Sequence, residues 1–188
     1  ADSRLAFQQY ISCAACHNDG GQDGRVWDFT GVGEGLRNTI TLRGHGGTSQ
    51  GPLHWSGNFD EVQDFENQIR NLAQGSGLIA TGSPHAPMGL PNAGRSADLD
   101  ALAAYLASLT TLDESPARSA DGSLTTEAAA GKLVFQNMNC AQCHSGSQFT
   151  NSSLNVFQDV GTIKPTTGQR LGAALTGLDT PTLRGLWA

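Results

Sequence analysis

Cys13-Ala14-Ala15-Cys16-His17 and Cys140-Ala141-Gln142-Cys143-His144 are the two stretches on which the reading of this chain turns. In each, two thiols stand two residues apart on one turn of backbone and a histidine follows directly. That order suits addition of the thiols across the two vinyl groups of a haem, with the histidine placed beneath the iron as its fifth ligand. Two CxxC pairs can also build a four-thiolate zinc cage, but such a cage has no need of a histidine after both pairs. A thioredoxin-like redox pair wants an alternating strand and helix pattern, and none is visible. All four cysteines lie in the two motifs, which leaves none for a structural disulfide. The expectation is two covalently attached haem c groups, one held by Cys13, Cys16 and His17 and one by Cys140, Cys143 and His144.

The surroundings of the motifs repeat. Leu5 to Ser12 precedes the first and Lys132 to Asn139 the second, each read as a helix that delivers its cysteines. Downstream, Thr39-Ile40-Thr41-Leu42-Arg43-Gly44 is echoed by Thr180-Pro181-Thr182-Leu183-Arg184-Gly185, with a Phe-Thr pair (Phe29-Thr30, Phe149-Thr150) between motif and echo in both. Such self-similarity predicts two related modules. The polar stretch 111–123, with Pro116 and Gly122, reads as a linker. A first cytochrome c-like module then covers 1–110 and a second, abbreviated one covers 124–188. Within the first, Leu99, Leu102, Ala103, Leu106 and Leu109 share one face of a helix over 97–109, with Ser96 or Asp98 at its N-terminus. Phe59, Val62, Phe65, Ile69 and Leu72 mark another over 58–73. The fold class expected is mostly α, with Gly-rich loops between helices and no strand pattern of useful length.

Composition points the same way. Only 38% of the 188 residues are hydrophobic and 6% aromatic, against 24 glycines, which is thin material for a conventional core. A large apolar macrocycle in each module supplies the missing bulk. The net charge of −6, with 11 Lys and Arg that form no cluster, excludes a nucleic-acid binder. No run approaches the roughly 20 apolar residues that span a bilayer. Ala1-Asp2-Ser3-Arg4 does not open as a signal peptide, so the chain reads as a soluble mature product or a piece of a longer precursor.

The sixth ligand of each iron decides what the haem does. Candidates are His45, His54, His85, Met88 and Met138. Met138, two residues before Cys140, reads as a packing residue on the proximal approach to its own haem. Met88 sits in the Pro-flanked loop Pro84 to Pro91, a placement that resembles the methionine loop of small class I cytochromes c. His54, beside Trp55, is its rival as a metal ligand. His85 shares the Met88 loop, and His45 lies between glycines. Arg43 and Arg184 are candidates for charge-assisted contacts to haem propionates. Asp19 to Gly24 has the carboxylates and glycines of a calcium loop, although Thr30 stands where an EF-hand needs its bidentate acid.

Taken together, the two motifs 127 residues apart, the Thr-Pro-Thr-Leu-Arg-Gly piece at 180–185 and the His-Trp-x-Gly-x-Phe-Asp-Glu run at 54–61 resemble the bacterial di-haem cytochrome c peroxidase superfamily, which includes the methylamine-utilisation di-haem enzymes. The chain also looks like the di-haem modules embedded in large secreted bacterial proteins. Members of the superfamily continue past the Thr-Leu-Arg piece with a segment like Tyr-Phe-His-Asp-Gly, and this chain stops at Trp187-Ala188. The haem on His144 is therefore expected to have an open sixth position or a ligand borrowed from the first module. The peroxidases use a tryptophan between the haems and a distal acid. Trp27, Trp55, Glu61 and Glu66 are available, with no match that assigns those roles.

Two functions follow as expectations. One is electron transfer through two low-spin haems to a redox partner protein or domain, with the acidic surface steering a basic partner. The other is peroxide reduction, or a related oxidation, at a haem with a displaceable distal ligand and an acid–base group beside it. Covalent haem attachment implies a periplasmic or extracellular location.

Overall fold

The structure, a computed structural model, describes residues 2–186; the Ala1 start and the Trp187-Ala188 end discussed above lie outside the described residues. In chain order the elements are α1 (Cys13–Cys16), the strands β1 (Val26–Phe29) and β2 (Gly35–Asn38), the helices α2 (Phe65–Asn71), α3 (Ala97–Ser108) and α4 (Thr126–Asn137), and the short strands β3 (Gln169–Arg170) and β4 (Ala173–Ala174). Turns, short 3-10 segments and loops make up the rest.

The mostly α expectation is therefore wrong. Among the described residues four helices, two of them under eight residues, stand beside two small antiparallel sheets, and no cytochrome-like helical repeat emerges. The clearest departure is Leu5 to Ser12. Instead of a helix it holds one 3-10 turn with Gln8 and Gln9 at positive φ. Its backbone groups are used elsewhere: the Phe7 amide donates to the Ala73 carbonyl (2.9 Å), and the Arg4 carbonyl accepts from the Gly77 amide (2.9 Å). A segment that satisfies its backbone against a neighbouring loop has no need of an internal helical ladder. The helix expected over 58–73 is cut back to Phe65–Asn71, preceded by a 3-10 turn over Val62–Asp64. The strands escaped notice because β1 and β2 alternate with the wrong sense: Val26 and Leu36 face outward while Trp27 and Arg37 face in.

α3 is as the periodicity predicts. The Ser96 side chain accepts from the Leu99 amide at its N-terminus, and Leu99 is fully buried against Ile69 of α2 and Ile79, with Leu5 and Leu78 flanking. Each such side chain contributes about 2 kcal/mol through burial. Thr125 caps α4 in the same way, accepting from the Ala128 amide (3.2 Å). No side chain of α4 is buried; Leu133 and Val134 are each 60% exposed.

The two halves of the chain are tied together. Arg170 stacks over Phe157 (4.4 Å) and donates to the carbonyls of Ser56 (2.9 Å) and Gly57 (3.1 Å). The Asp179 amide donates to the Trp55 carbonyl (2.7 Å), and the Gln169 amide to the Gly33 carbonyl (2.6 Å). The two Thr-Leu-Arg-Gly pieces also share a contact. Gly44 and Gly185 both have φ of 73°, and a methyl group on either would stand within 2.5 Å of the Leu112 side chain. Only glycine meets both demands at once.

Candidate functional site

Each CxxCH motif folds into a closed turn, by different local means. The first occupies a single helical turn, α1, closed by the His17 amide bonding the Cys13 carbonyl (2.9 Å). The second follows α4 through Asn139, in the left-handed region, into a 3-10 turn whose Cys140 carbonyl accepts from the His144 amide (3.0 Å). All four cysteines are free thiols; Cys13 and Cys140 are exposed and Cys16 and Cys143 half-buried. Desolvation pushes the half-buried Cys16 thiol up, so it stays protonated near neutrality. Among the described residues no three His, Cys, Asp or Glu side chains converge as a metal cage needs.

Both histidines are oriented alike. His17 Nδ1 lies 3.2 Å from the Gly21 carbonyl and His144 Nδ1 lies 3.1 Å from the Phe149 carbonyl. A carbonyl can only accept, so in each ring Nδ1 carries a proton, and a neutral ring so tied has its lone pair on Nε2, as a metal-ligating imidazole does; the His17 ring also hydrogen-bonds the Ile40 backbone. Burial holds His17 below its ordinary value, favouring the neutral ring. Around the second motif lie Leu133, Val134, Met138 (71% exposed) and Phe149, apolar groups with water on one side. Phe7, Tyr10, Val26 and Leu36 are similarly exposed in the first half. Thiols, tautomers and uncovered apolar surface all fit a haem at each motif.

His54 is the best placed of the other candidate ligands. It begins a tight turn, with φ of 69° and its carbonyl accepting from the Gly57 amide (3.0 Å), at the tip of a loop whose ends pair Leu53 with Phe59. A non-glycine residue held there stores backbone strain. Its ring packs between Phe59 (4.3 Å) and Phe65 (4.9 Å, edge-on). Burial pushes the imidazole down; Glu34 and Asn58 oppose the shift, and Arg37 and His17 reinforce it. His17 and His54 are thus near enough to feel each other's charge. His54 Nδ1 donates to Asn58 Oδ1 (2.7 Å), and Asn58 Nδ2 donates to Glu34 Oε1 (3.1 Å). The Glu34 carboxylate thereby settles which way the Asn58 amide points. Asn58 in turn leaves His54 Nε2 with its lone pair.

Met88 rides on a loop pinned by Asn92 and Asn67, which bond the His85 backbone, and by His85 Nδ1 with the Pro91 carbonyl (2.8 Å). It has φ of 60° and is 36% exposed. His45 has a buried Nε2 without a partner and is held low by burial and by Arg184. Arg43 is already engaged, Nε with the Asp19 carbonyl (3.0 Å) and Nη1 with Asp113 (3.2 Å), and Arg184 donates to Gln148 (2.6 Å). Glu66, wholly buried, accepts from Arg70, Leu78 and Ile79, and Glu61 accepts from the Asn92 and Ala93 amides, so both acids serve the local framework. In the Asp19 to Gly24 loop, Asp23 accepts from the Arg25 amide and from Trp27 Nε1. Trp55 Nε1 donates to the Asn38 carbonyl (2.9 Å), and its own carbonyl receives Asp179, so this tryptophan joins β2 to the second Thr-Leu-Arg piece. Sequence reasoning missed Glu34, Arg37 and Asn58. Glu34 precedes and Arg37 lies within an unremarked strand, and no motif connects either to His54.

The chain is similar to hydrazine synthase subunit gamma of Kuenenia stuttgartiensis. The two are 30% identical over 176 residues, covering 89% of this chain and 46% of that subunit. This chain therefore spans about half the length of the curated relative it matches. No family model and no solved structure matches the chain. Among the described residues no helix is long and apolar enough to cross a membrane.

Proposed function

We propose that the chain is a di-haem c-type cytochrome, of the di-haem cytochrome c peroxidase superfamily that its motifs resemble, and that it passes single electrons through two covalently bound haems. The observation that carries this reading is the matched pair of CxxCH histidines, each with Nδ1 tied to a backbone carbonyl and Nε2 left to bind iron. When bound, haem supplies a one-electron couple whose potential depends on axial ligands and burial.

The chain's residues do the rest. Cys13, Cys16, Cys140 and Cys143 would hold the two haems, with His17 and His144 as iron ligands. His54, its ring pushed toward the neutral form by burial and aimed by the Asn58 and Glu34 chain, would be a further ligand of the first. Two imidazoles fixed before the electron arrives leave little to rearrange when it does. The similarity to a synthase subunit supports a place beside other redox proteins, and the net charge of −6 suits a basic partner. A periplasmic or extracellular location goes with covalent haem attachment.

The test is an EPR and optical spectrum of the ferric protein, followed by reduction and carbon monoxide, on wild type and His54→Ala. Two haems by pyridine haemochrome, with the first low-spin and indifferent to carbon monoxide until His54 is removed, is the expected result. If Met88→Ala opens that haem instead, Met88 is its ligand. A high-spin haem that binds carbon monoxide in the wild type would replace electron transfer by peroxide reduction as the leading activity.

A further inference from the structure

β2 buries an arginine. Arg37 lies in mid-strand opposite Trp27, with its side chain only 10% exposed, while the apolar Leu36 beside it faces solvent. Nη1 donates to the Leu36 carbonyl (2.9 Å). Nε and Nη2 are buried and have no hydrogen-bond partner. Glu34 Oε2 stands 3.8 Å from Nη2, beyond hydrogen-bonding distance, and the Glu34 carboxylate already accepts from Asn58 and Ser56. Glu34 balances the charge, but buried N–H donors left without acceptors remain costly.

The two orphaned groups are not scattered. Nε–H and one Nη–H form a complete edge of the guanidinium fork, two parallel donors spaced for the two oxygens of one carboxylate. Glu34, next to the guanidinium, accepts from Asn58, and Asn58 accepts from His54, which places the free edge beside the His54 imidazole. On the reading proposed above, that is where the first haem lies. A haem carries two propionate carboxylates at its rim.

We infer that Arg37, through Nε and Nη2, binds a propionate of the haem attached at Cys13 and Cys16. This inference rests on the proposed di-haem reading. It moves the propionate contact from Arg43, engaged with Asp19 and Asp113, to a buried residue in a strand. The guanidinium seats the haem edge-on and places a fixed positive charge near the iron, which favours the ferrous state and raises that haem's potential.

An EPR-monitored redox titration of wild type, Arg37→Gln and Arg37→Lys, at low and high chloride, tests it. The expected result is a lower midpoint potential for one haem in Arg37→Gln, with the other haem and the low-spin EPR signals unaltered. Arg37→Lys keeps the charge and loses the two-donor edge, so its drop is smaller and confined to the same haem. Unmoved potentials in both variants overturn the inference, as does a wild-type potential that tracks chloride, which would show a solvent anion at this edge. A shifted potential accompanied by altered EPR signals also overturns it, because Arg37 would then act through the axial ligands. If Arg37→Gln does not accumulate with haem, Arg37→Lys alone decides. Wild type without covalent haem removes the functional reading and this inference together; two haems with unmoved potentials remove only the inference.

Discussion

His54 donates to Asn58, and Asn58 to Glu34, so the orientation of one imidazole rests on a carboxylate twenty residues away. Replacing Asn58 with alanine leaves a buried Nδ1–H without an acceptor, a loss of about 1–3 kcal/mol. The expected outcome is a lower urea midpoint and partial conversion of one haem from low to high spin by EPR; an unchanged EPR spectrum would show that His54 needs no such support. Asp179 gives a second residue-scale prediction. Burial pushes its carboxyl up to about 6, against an opposing bond from Ser152, and its Oδ1 is buried without a partner. Above pH 6 the carboxylate is ionised both folded and unfolded, and the folded state bears the cost of burying it. As pH falls from 6 toward the unfolded value of 3.8, the folded state takes up the proton first and this cost disappears. Asp179→Asn should therefore raise the denaturation midpoint at pH 7.5, with the gain fading through pH 6 and gone near pH 4. An equal gain at both ends would trace the effect to packing rather than charge. The candidate thiols and histidines could be singled out because CxxCH is a contiguous pattern. Glu34, Arg37 and Asn58 were not, because the fold assembles them from separate loops and a strand.

α3 could be read from the sequence because it has a capping residue and a helical apolar period of its own, with Ser96 accepting as expected; of α4 only the stretch from Lys132 was read as helix, and its Thr125 cap was not. Leu5 to Ser12 could not, since its backbone is satisfied by the loop after α2 rather than by itself. The same applies to β1 and β2, whose outward faces carry Val26 and Leu36. An apolar residue facing outward blurs the alternation by which a half-buried strand is recognised. At this scale the two Thr-Leu-Arg-Gly turns make a sharper test, because Gly44 and Gly185 both close on Leu112. Gly44→Ala and Gly185→Ala should each destabilise by about 1–3 kcal/mol, from the positive φ and from the clash. Leu112→Ala should recover the clash component of each and leave the φ component, giving a coupling energy of about 0.5 kcal/mol or more in double-mutant cycles followed by denaturation. Strict additivity would mean that the backbone accommodates the methyl without touching Leu112.

Across the whole molecule, the apolar groups are distributed as in a protein that lacks part of its core. Among the described residues the buried apolar set is Ala6, Phe59, Val62, Ile69, Ile79, Leu99 and Leu175, while Leu133, Val134, Met138 and Phe149 near the second motif and Phe7, Tyr10, Val26 and Leu36 in the first half face outward. Ile69, Ile79 and Leu99 form one small cluster. On the proposed reading, a haem at each CxxCH would supply a large apolar surface where side chains are sparse, and its covalent bonds would restrict the unfolded chain as a cross-link does. The chain made with all four cysteines replaced by serine, and so unable to attach haem, should be collapsed but unpacked. It should bind ANS, lose near-UV circular dichroism and unfold with a shallow denaturant slope, while the haem-bearing protein unfolds cooperatively. A cysteine-free chain with sharp near-UV bands and a steep transition would show that side chains alone suffice, and the outward-facing residues would then need a protein partner rather than a cofactor to explain them.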